Sequence, residues 1–397
     1  MSEEGTTTAR PLTLARVPEA EGRAKAALAA LVSAAEDAAG DAFAGAALGG
    51  PPAFGEGLAV RAEGGDVLLA DPIELLVVLE GSVRGAAALG KKVRRGVAEA
   101  ARTRRTTFTL LAMARAELPL LPPTLGNLEL LAARRVVAGE ASLLSTAPDP
   151  ARTVPAPMEG LRLLVRSGAS LLAAERAVDR TQAGPQAHAA LRSVAATDLA
   201  LGAAVLLSAG QWTPGIRARN DALRALAQRG AGGETRAGFH GRMSWTRFRD
   251  LVDRHKAAFE TRESVTARGR PADAMRQVAR AIDRWLEVLR LFEEERLGTP
   301  LPDWTEYACL LEARRKRLAD GSLFPAEDEA GLRAALALPA RRAVRTWERA
   351  ERVAPALAAL LDWDPGDLPV APVLLDLPDG TPRDALRQRA IAMGREV

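Results

Sequence analysis

Between Gly49 and Glu80 the chain gathers residues able to meet phosphate and a metal ion. The stretch reads GGPPAFGEGLAVRAEGGDVLLADPIELLVVLE. Gly49, Gly50, Gly55 and Gly57, with Glu56 among them, make a glycine-rich turn, and bare backbone N–H groups in such a turn can face an anion. Asp71 and Glu74 stand at the head of Ile73–Leu79, an apolar run of the kind a doubly buried strand shows. Carboxylates at the start of a strand are oxygen donors suited to a hard cation such as Mg²⁺. Strand side chains alternate in direction, so Asp71 and Glu74, three residues apart, are aimed at opposite faces.

Other chemistries lack a pattern. His188, His240 and His255 are too dispersed for a metal site, and neither an HExxH helix nor a GxSxG elbow is present. The single cysteine, Cys309, excludes an internal disulfide and a cysteine-based cluster, and fits a reducing cytoplasm. Gly238–His255 combines Phe239, Trp245, Phe248 and several Arg. Its Trp245, Phe248, Leu251 and Val252 have the spacing of a core-facing helix. The basic runs Lys91–Arg95, Arg102–Arg105 and Arg314–Arg317 read as solvated helix faces. Trp285, Trp304, Trp347 and Trp363 read as core anchors between helices.

At 397 residues the chain is long enough for two domains. A formal net charge of +4 is small for that length, and the sequence pI near 9.7 reflects Arg in place of Lys; nucleic acid is not the expected partner on this ground. Met1–Arg16 has neither the basic start nor the apolar run of a signal peptide. The apolar run Leu199–Ala209 is shorter than the roughly 20 residues a bilayer needs, and reads as a buried core helix with no membrane span.

The elements that must position the acidic strand follow in order. Residues 1–18 are expected to be a flexible tail. Glu19–Leu48 is Ala-rich with helical spacing, ended by Gly49-Gly50-Pro51-Pro52. Leu58–Arg61 and Val67–Leu69 form a hairpin around Glu63–Asp66. Ile73–Leu79, the helix Ser82–Arg105 and the strand Thr106–Met113 make a strand–helix–strand unit in a small mixed sheet. The prolines of 118–125 form a stiff connector, with Thr124 as helix N-cap. Beyond it nearly everything is helical: Leu125–Ala138, Pro157–Val178, Gln186–Ser208, Pro214–Arg229, Ser244–Thr261, Pro271–Arg296, Trp304–Ala319, Ala326–Leu336, Ala340–Leu361 and Arg383–Arg395. Pro365–Pro382 is read as an extended connector.

The turn and acidic strand together resemble the nucleotidyltransferase superfamily, with its DNA-polymerase-beta-like fold, and within it a bacterial branch with a helical C-terminal half. Gly50 and Gly55-Glu56-Gly57 match the family's glycine turn. Ile73–Val78 matches the end of its Asp-x-Asp strand. Leu118–Leu125 and Glu159–Leu164 resemble that branch further on. The resemblance implies an α+β protein: a nucleotidyltransferase-like domain over 19–117, then an all-α domain over 118–397. In the family, two acids on one strand and a third on the next hold Mg²⁺. The first of those positions is Pro72 here, the second is Glu74, and the third corresponds to Thr109. Phe54 replaces the turn arginine, and Pro51 and Ala53 replace turn glycines.

The resemblance therefore implies a degenerate member, with Glu74 and Asp71 vestigial catalytic acids, Glu74 also the remaining metal ligand, and Gly49, Gly50, Gly55, Glu56 and Gly57 the nucleotide-binding turn. Such a protein is expected to act by binding or assembly through a protein partner on its helical domain, with weak nucleotide binding and no cofactor. Two alternatives stand beside it. One is an active Mg²⁺-dependent nucleotidyltransferase in which Asp71, Glu74 and Asp66 or Glu56 supply ligands and a small molecule or protein is the acceptor. The other is a helical nucleic-acid-binding protein acting through its Arg-rich faces.

Overall fold

The computed structural model describes residues 10–61, 65–180, 184–231, 238–263, 273–319, 338–362 and 371–397. The chain divides into two compact units. The first is Met1–Pro155 with two later segments, Pro214–Arg217 and Glu260–Ala267; the second holds the remaining residues. The first unit thus extends past the expected boundary at 117 and recruits chain from far downstream.

Helix α1 (Pro18–Ala39) forms because Ala20, Ala24, Ala27, Leu31 and Ala35 recur every three or four residues and are buried along one stripe. It stops at Gly40, which has φ +57°. The Ala-rich run then continues as strand β1 (Phe43–Gly49), where a helix through Leu48 was expected. The strand is buried on both faces and so shows no alternation to read. Its small residues have a packing reason: a Cβ on Gly45 would lie 2.6 Å from the Ala138 carbonyl oxygen. A short helix, α2 (Gly50–Phe54), follows, with proline in its first turn where a missing N–H costs nothing. The prolines thus begin a helix here and do not end one.

Strands β2 (Ala59–Arg61) and β3 (Val67–Leu69) form the expected hairpin. Strand β4 (Ile73–Leu79), helix α3 (Val83–Arg104, capped by the Ser82 hydroxyl) and strand β5 (Phe108–Ala114) form the strand–helix–strand unit, with β4 and β5 parallel. Helix α4 (Leu125–Ala133) is capped by Thr124 but ends at Arg134, whose φ is +48°. Val136 and Val137 then enter strand β6 (Arg135–Gly139), so the expected helix to Ala138 is cut by a fourth strand of the main sheet. Sheet order is β5-β4-β1-β6, with β1 antiparallel to both neighbours.

The two faces of this mixed sheet bury separate cores. Ile73, Leu75, Val77 and Leu79 join α1 and α3 on one side. Leu76 and Val78 join Leu118, Leu130 and Leu131 on the other. The second set has the parity of Glu74, which fixes the side of the sheet on which that carboxylate starts.

Residues 10–17 do not form a tail. Leu12 is 1% exposed, and its N–H and that of Thr13 donate to the Glu21 carboxylate at 2.8 and 3.1 Å. Arg135, itself buried, donates to the carbonyls of Arg10, Pro11 and Pro52 at 2.6, 3.1 and 3.1 Å.

The second unit is helical: α5 (Met158–Arg180), α6 (Gly184–Ser208), most of α7 (Ile216–Ala231) and of α8 (Trp245–Glu260), α9 (Ala274–Leu297), α10 (Trp304–Ala319), and the helices Leu338–Asp362, Ala371–Leu374 and Arg383–Glu396. Its core holds Trp285, Trp304, Tyr307, Phe239 and Phe248. Trp347 is half-buried and donates to Glu159 at 2.7 Å. The expected helix Ala326–Leu336 and the anchor Trp363 lie outside the described residues, and Ala371–Leu374 interrupts the stretch read as an extended connector. Helix α6 provides one stretch, Gln186–Ser208, long and apolar enough to cross a membrane by length and composition, which the eleven-residue reading of Leu199–Ala209 had missed. More than half of its most apolar 18-residue window is buried inside the unit.

Candidate functional site

Strand register brings two of the three expected metal positions together. Glu74 on β4 pairs with Thr109 on β5, and Gly49 on β1 pairs with Glu74 from the other side. Neighbouring strands run about 4.8 Å apart, and paired residues in a parallel ladder share a face. A carboxylate at position 109 would therefore sit beside Glu74. The residue there is an exposed threonine. Glu74 is half-buried and leans over Gly50: a Cβ on that glycine would meet Glu74 Oε1 at 2.7 Å. Gly50 has φ +65°, so this position demands glycine twice, for its backbone and for the acid above it.

The glycine turn spends its donors internally. Gly55 N–H donates to the Pro52 carbonyl at 3.2 Å, Glu56 N–H to Pro51 at 2.9 Å, and Gly57 N–H to Leu12 at 3.1 Å. Pro51 and Pro52 have no N–H to give. The amides of Gly55, Glu56 and Gly57, expected to face phosphate, thus bond to carbonyls of α2 and of the segment 10–14. Leu14 N–H returns a bond to the Gly57 carbonyl at 3.0 Å, which locks the two segments together.

The remaining acids are likewise engaged. Asp71 accepts from Leu58 N–H at 2.7 Å and from Arg262 at 2.6 and 3.3 Å. Arg262 also donates to the Glu56 carbonyl at 3.0 Å. The Glu56 carboxylate accepts from the N–H groups of Ile216 and Arg217 at 2.5 and 3.0 Å, in the later segment that belongs to the same unit. Asp66, in the hairpin turn, pairs with Arg23 at 2.8 Å, and that bond holds its carboxyl below the usual range. Asp71, Asp66 and Glu56, the ligands needed for a rearranged metal site, thus face three separate partners. Among the described residues no group of three or more His, Cys, Asp or Glu could hold a metal ion. The donor set does not fit Mg²⁺, which asks for several oxygens at about 2.0–2.1 Å in octahedral array.

Arg135 and Arg262 organise this region, and neither was expected from sequence. Each acts on groups more than 80 residues away in the chain, and Arg135 lay in a stretch read as helix.

In the second unit the titratable groups are used in packing. Glu293, fully buried, accepts from Tyr307 at 2.8 Å and from Arg296, which also reaches Glu351 at 2.7 Å. Asp198 meets Arg284 at 2.8 Å, yet burial still raises its pKa. His240 and His255 are fully buried, His240 against the Phe248 ring. The reading of Trp245–Val252 as a core-facing helix agrees with the burial of Phe248, Leu251 and Val252. Arg314–Arg317 fall on α10, with side chains outside the described residues. Cys309 is exposed and free.

Compared with protein-family models, curated proteins and solved structures, the chain matches none of them.

Proposed function

We propose that the first unit is a degenerate nucleotidyltransferase-like domain that acts by binding or assembly and not by nucleotide transfer. The observation that carries this reading is the pairing of Glu74 with Thr109 while Pro72 stands two residues before Glu74. One carboxylate remains where metal-dependent transfer needs two or three. The internal bonds of Asp71, Glu56 and the turn amides support it further, since each would have to break before a metal or a triphosphate could enter. A cytoplasmic protein with a protein partner on its helical unit is the form this proposal takes.

Isothermal titration of the full chain with Mg-ATP, Mg-GTP and Mg-CTP tests it. The expected outcome is no metal-dependent heat at micromolar nucleotide. Metal-dependent binding in the micromolar range that Glu74→Ala abolishes would overturn it.

A further inference from the structure

Helix α3 concentrates positive charge on a face where, among the described residues, Arg102 alone meets an acid, Glu99. Val83–Arg104 carries Arg84, Lys91, Lys92, Arg94, Arg95, Arg102 and Arg104 against one acid, Glu99, a balance of +6 in a chain whose formal total is +4. The remainder of the chain is therefore slightly acidic, so the basic balance of the whole protein resides in this helix.

The arrangement is linear. With about 100° of rotation per residue, positions 84, 91, 95 and 102 fall within about 40° of one another, and the row runs about 27 Å along the axis. The buried residues Ala86, Val93, Val97 and Ala101 occupy the opposite side, so the row points straight away from the core. All four basic residues are exposed. Arg84, Lys91 and Arg95 have no hydrogen bond or ion pair among the described residues, and Arg102 meets only the equally exposed Glu99. Arg94, by contrast, is tied to the Leu110 carbonyl and lies off the row.

We propose that this row binds the phosphate backbone of duplex nucleic acid without reading its sequence. A duplex offers one negative charge per about 1.7 Å of axis, so a straight row about 27 Å long meets roughly eight base pairs of continuous charge. The face carries no aromatic residue on which unpaired bases could stack, which favours duplex over single strands. It also exposes no large apolar side chain: Leu120, Val154, Met275 and Val373, the large hydrophobic residues most exposed among those described, all lie elsewhere. A lipid surface would thus gain charge contact alone, with nothing to insert. This inference does not depend on the nucleotidyltransferase reading, because α3 packs its opposite side and the row touches none of the turn or acidic residues.

Fluorescence anisotropy of a labelled duplex of about 20 base pairs with the full chain tests the row. Four phosphate contacts predict a slope near −3.6 in log affinity against log salt, a loss of about 150-fold between roughly 50 and 200 mM. R84Q/K91Q/R95Q/R102Q, all solvent-facing changes, is expected to lose most binding at the lower salt and nearly all of the slope. R224Q/R249Q/R276Q/R280Q removes the same charge from the second unit and is expected to bind as the parent does. Circular dichroism of both variants confirms folding. Absence of binding at low salt, equal loss in the two variants, or binding to phosphatidylserine vesicles in place of duplex would overturn the proposal.

Discussion

Removing Arg262 is expected to loosen the first unit and leave the second intact. The guanidinium makes three bonds there: two to Asp71 at 2.6 and 3.3 Å, and one to the Glu56 carbonyl at 3.0 Å. The two side chains are 9% and 14% exposed, so the pair is close to fully desolvated. Breaking a buried pair by deleting one partner costs about 3–5 kcal/mol, because the other charge is left stranded. Asp71 keeps the Leu58 N–H at 2.7 Å and some contact with water, which places Arg262→Ala near the lower end, about 3 kcal/mol. That is roughly a hundredfold change in the opening equilibrium of the unit.

The assay follows from where the tryptophans lie. The five in the described residues, Trp212, Trp245, Trp285, Trp304 and Trp347, belong to the second unit, and the first unit's sequence has none, so fluorescence is blind to the first. Hydrogen exchange of the amides in β2, β3 and β4, followed by mass spectrometry, reads the affected region directly. Asp71→Asn should give a similar loss, and the double change should cost less than the sum by about 2 kcal/mol, since each single change already removes the pair. Additive losses, or a coupling below about 0.5 kcal/mol, would refute the assignment of Asp71 to structure.

Two further outcomes are expected. Gly50→Ala should destabilise the first unit by more than about 1 kcal/mol, because φ +65° strains any L side chain and the new Cβ meets Glu74 Oε1; unchanged amide exchange in β1 and β4 would contradict this. In the second unit, burial and the nearby Arg219 push the His255 pKa down to about 3. A depressed folded-state pKa means that His255 stays neutral in the fold and takes a proton on unfolding. Its contribution is complete above its ordinary pKa of about 6.5 and is lost as pH falls toward about 3, at up to about 1.4 kcal/mol per pH unit. Urea midpoints by tryptophan fluorescence between pH 7 and 4 should fall steeply in the parent and less in His255→Leu. Asp198, raised by burial, shifts stability in the opposite sense in both proteins, so their difference isolates the histidine.

The sheet was legible wherever burial had a period or a punctuation mark. The hairpin, β4, α3 and β5 could be read because Glu63–Asp66, Ser82 and the β-branched run at Thr106 mark their ends. β1 was not legible: Phe43–Gly49 is built of small residues because the Ala138 carbonyl and Leu143 crowd it, and alanine carries the same letter in a packed strand as in a helix. β6 was missed for a similar reason, since the break at Arg134 lies in a left-handed conformation that arginine rarely adopts. At the site, the residue types at positions 72, 74 and 109 were visible in the sequence; the match of Thr109 to a ligand position came from the resemblance, and its pairing with Glu74 from the structure. The partners of Asp71 and Glu56 were not visible, because contacts spanning 191 and 160 residues leave no local signal.

Those hidden partners bear on whether the acids near the turn can serve a metal at all. A carboxylate oxygen that accepts a charged donor at 2.6 Å has committed the lone pair that a cation would need, and it has a guanidinium where the cation would approach. Recruiting Asp71 to Mg²⁺ would require expelling Arg262, which also supports the Glu56 carbonyl; recruiting Glu56 would strip two backbone amides of their acceptor. Each step exposes further unpaired groups, so the cost grows with every ligand gathered. Glu74 stands apart from this arrangement, beside Thr109 and above Gly50, on the side of the sheet opposite α3. The positions without a carboxylate and the engaged acids are thus two sides of one allocation. Carboxylates near the turn close the first unit upon its own distant segments, and the strand position that could have supplied a second ligand to Glu74 carries a hydroxyl.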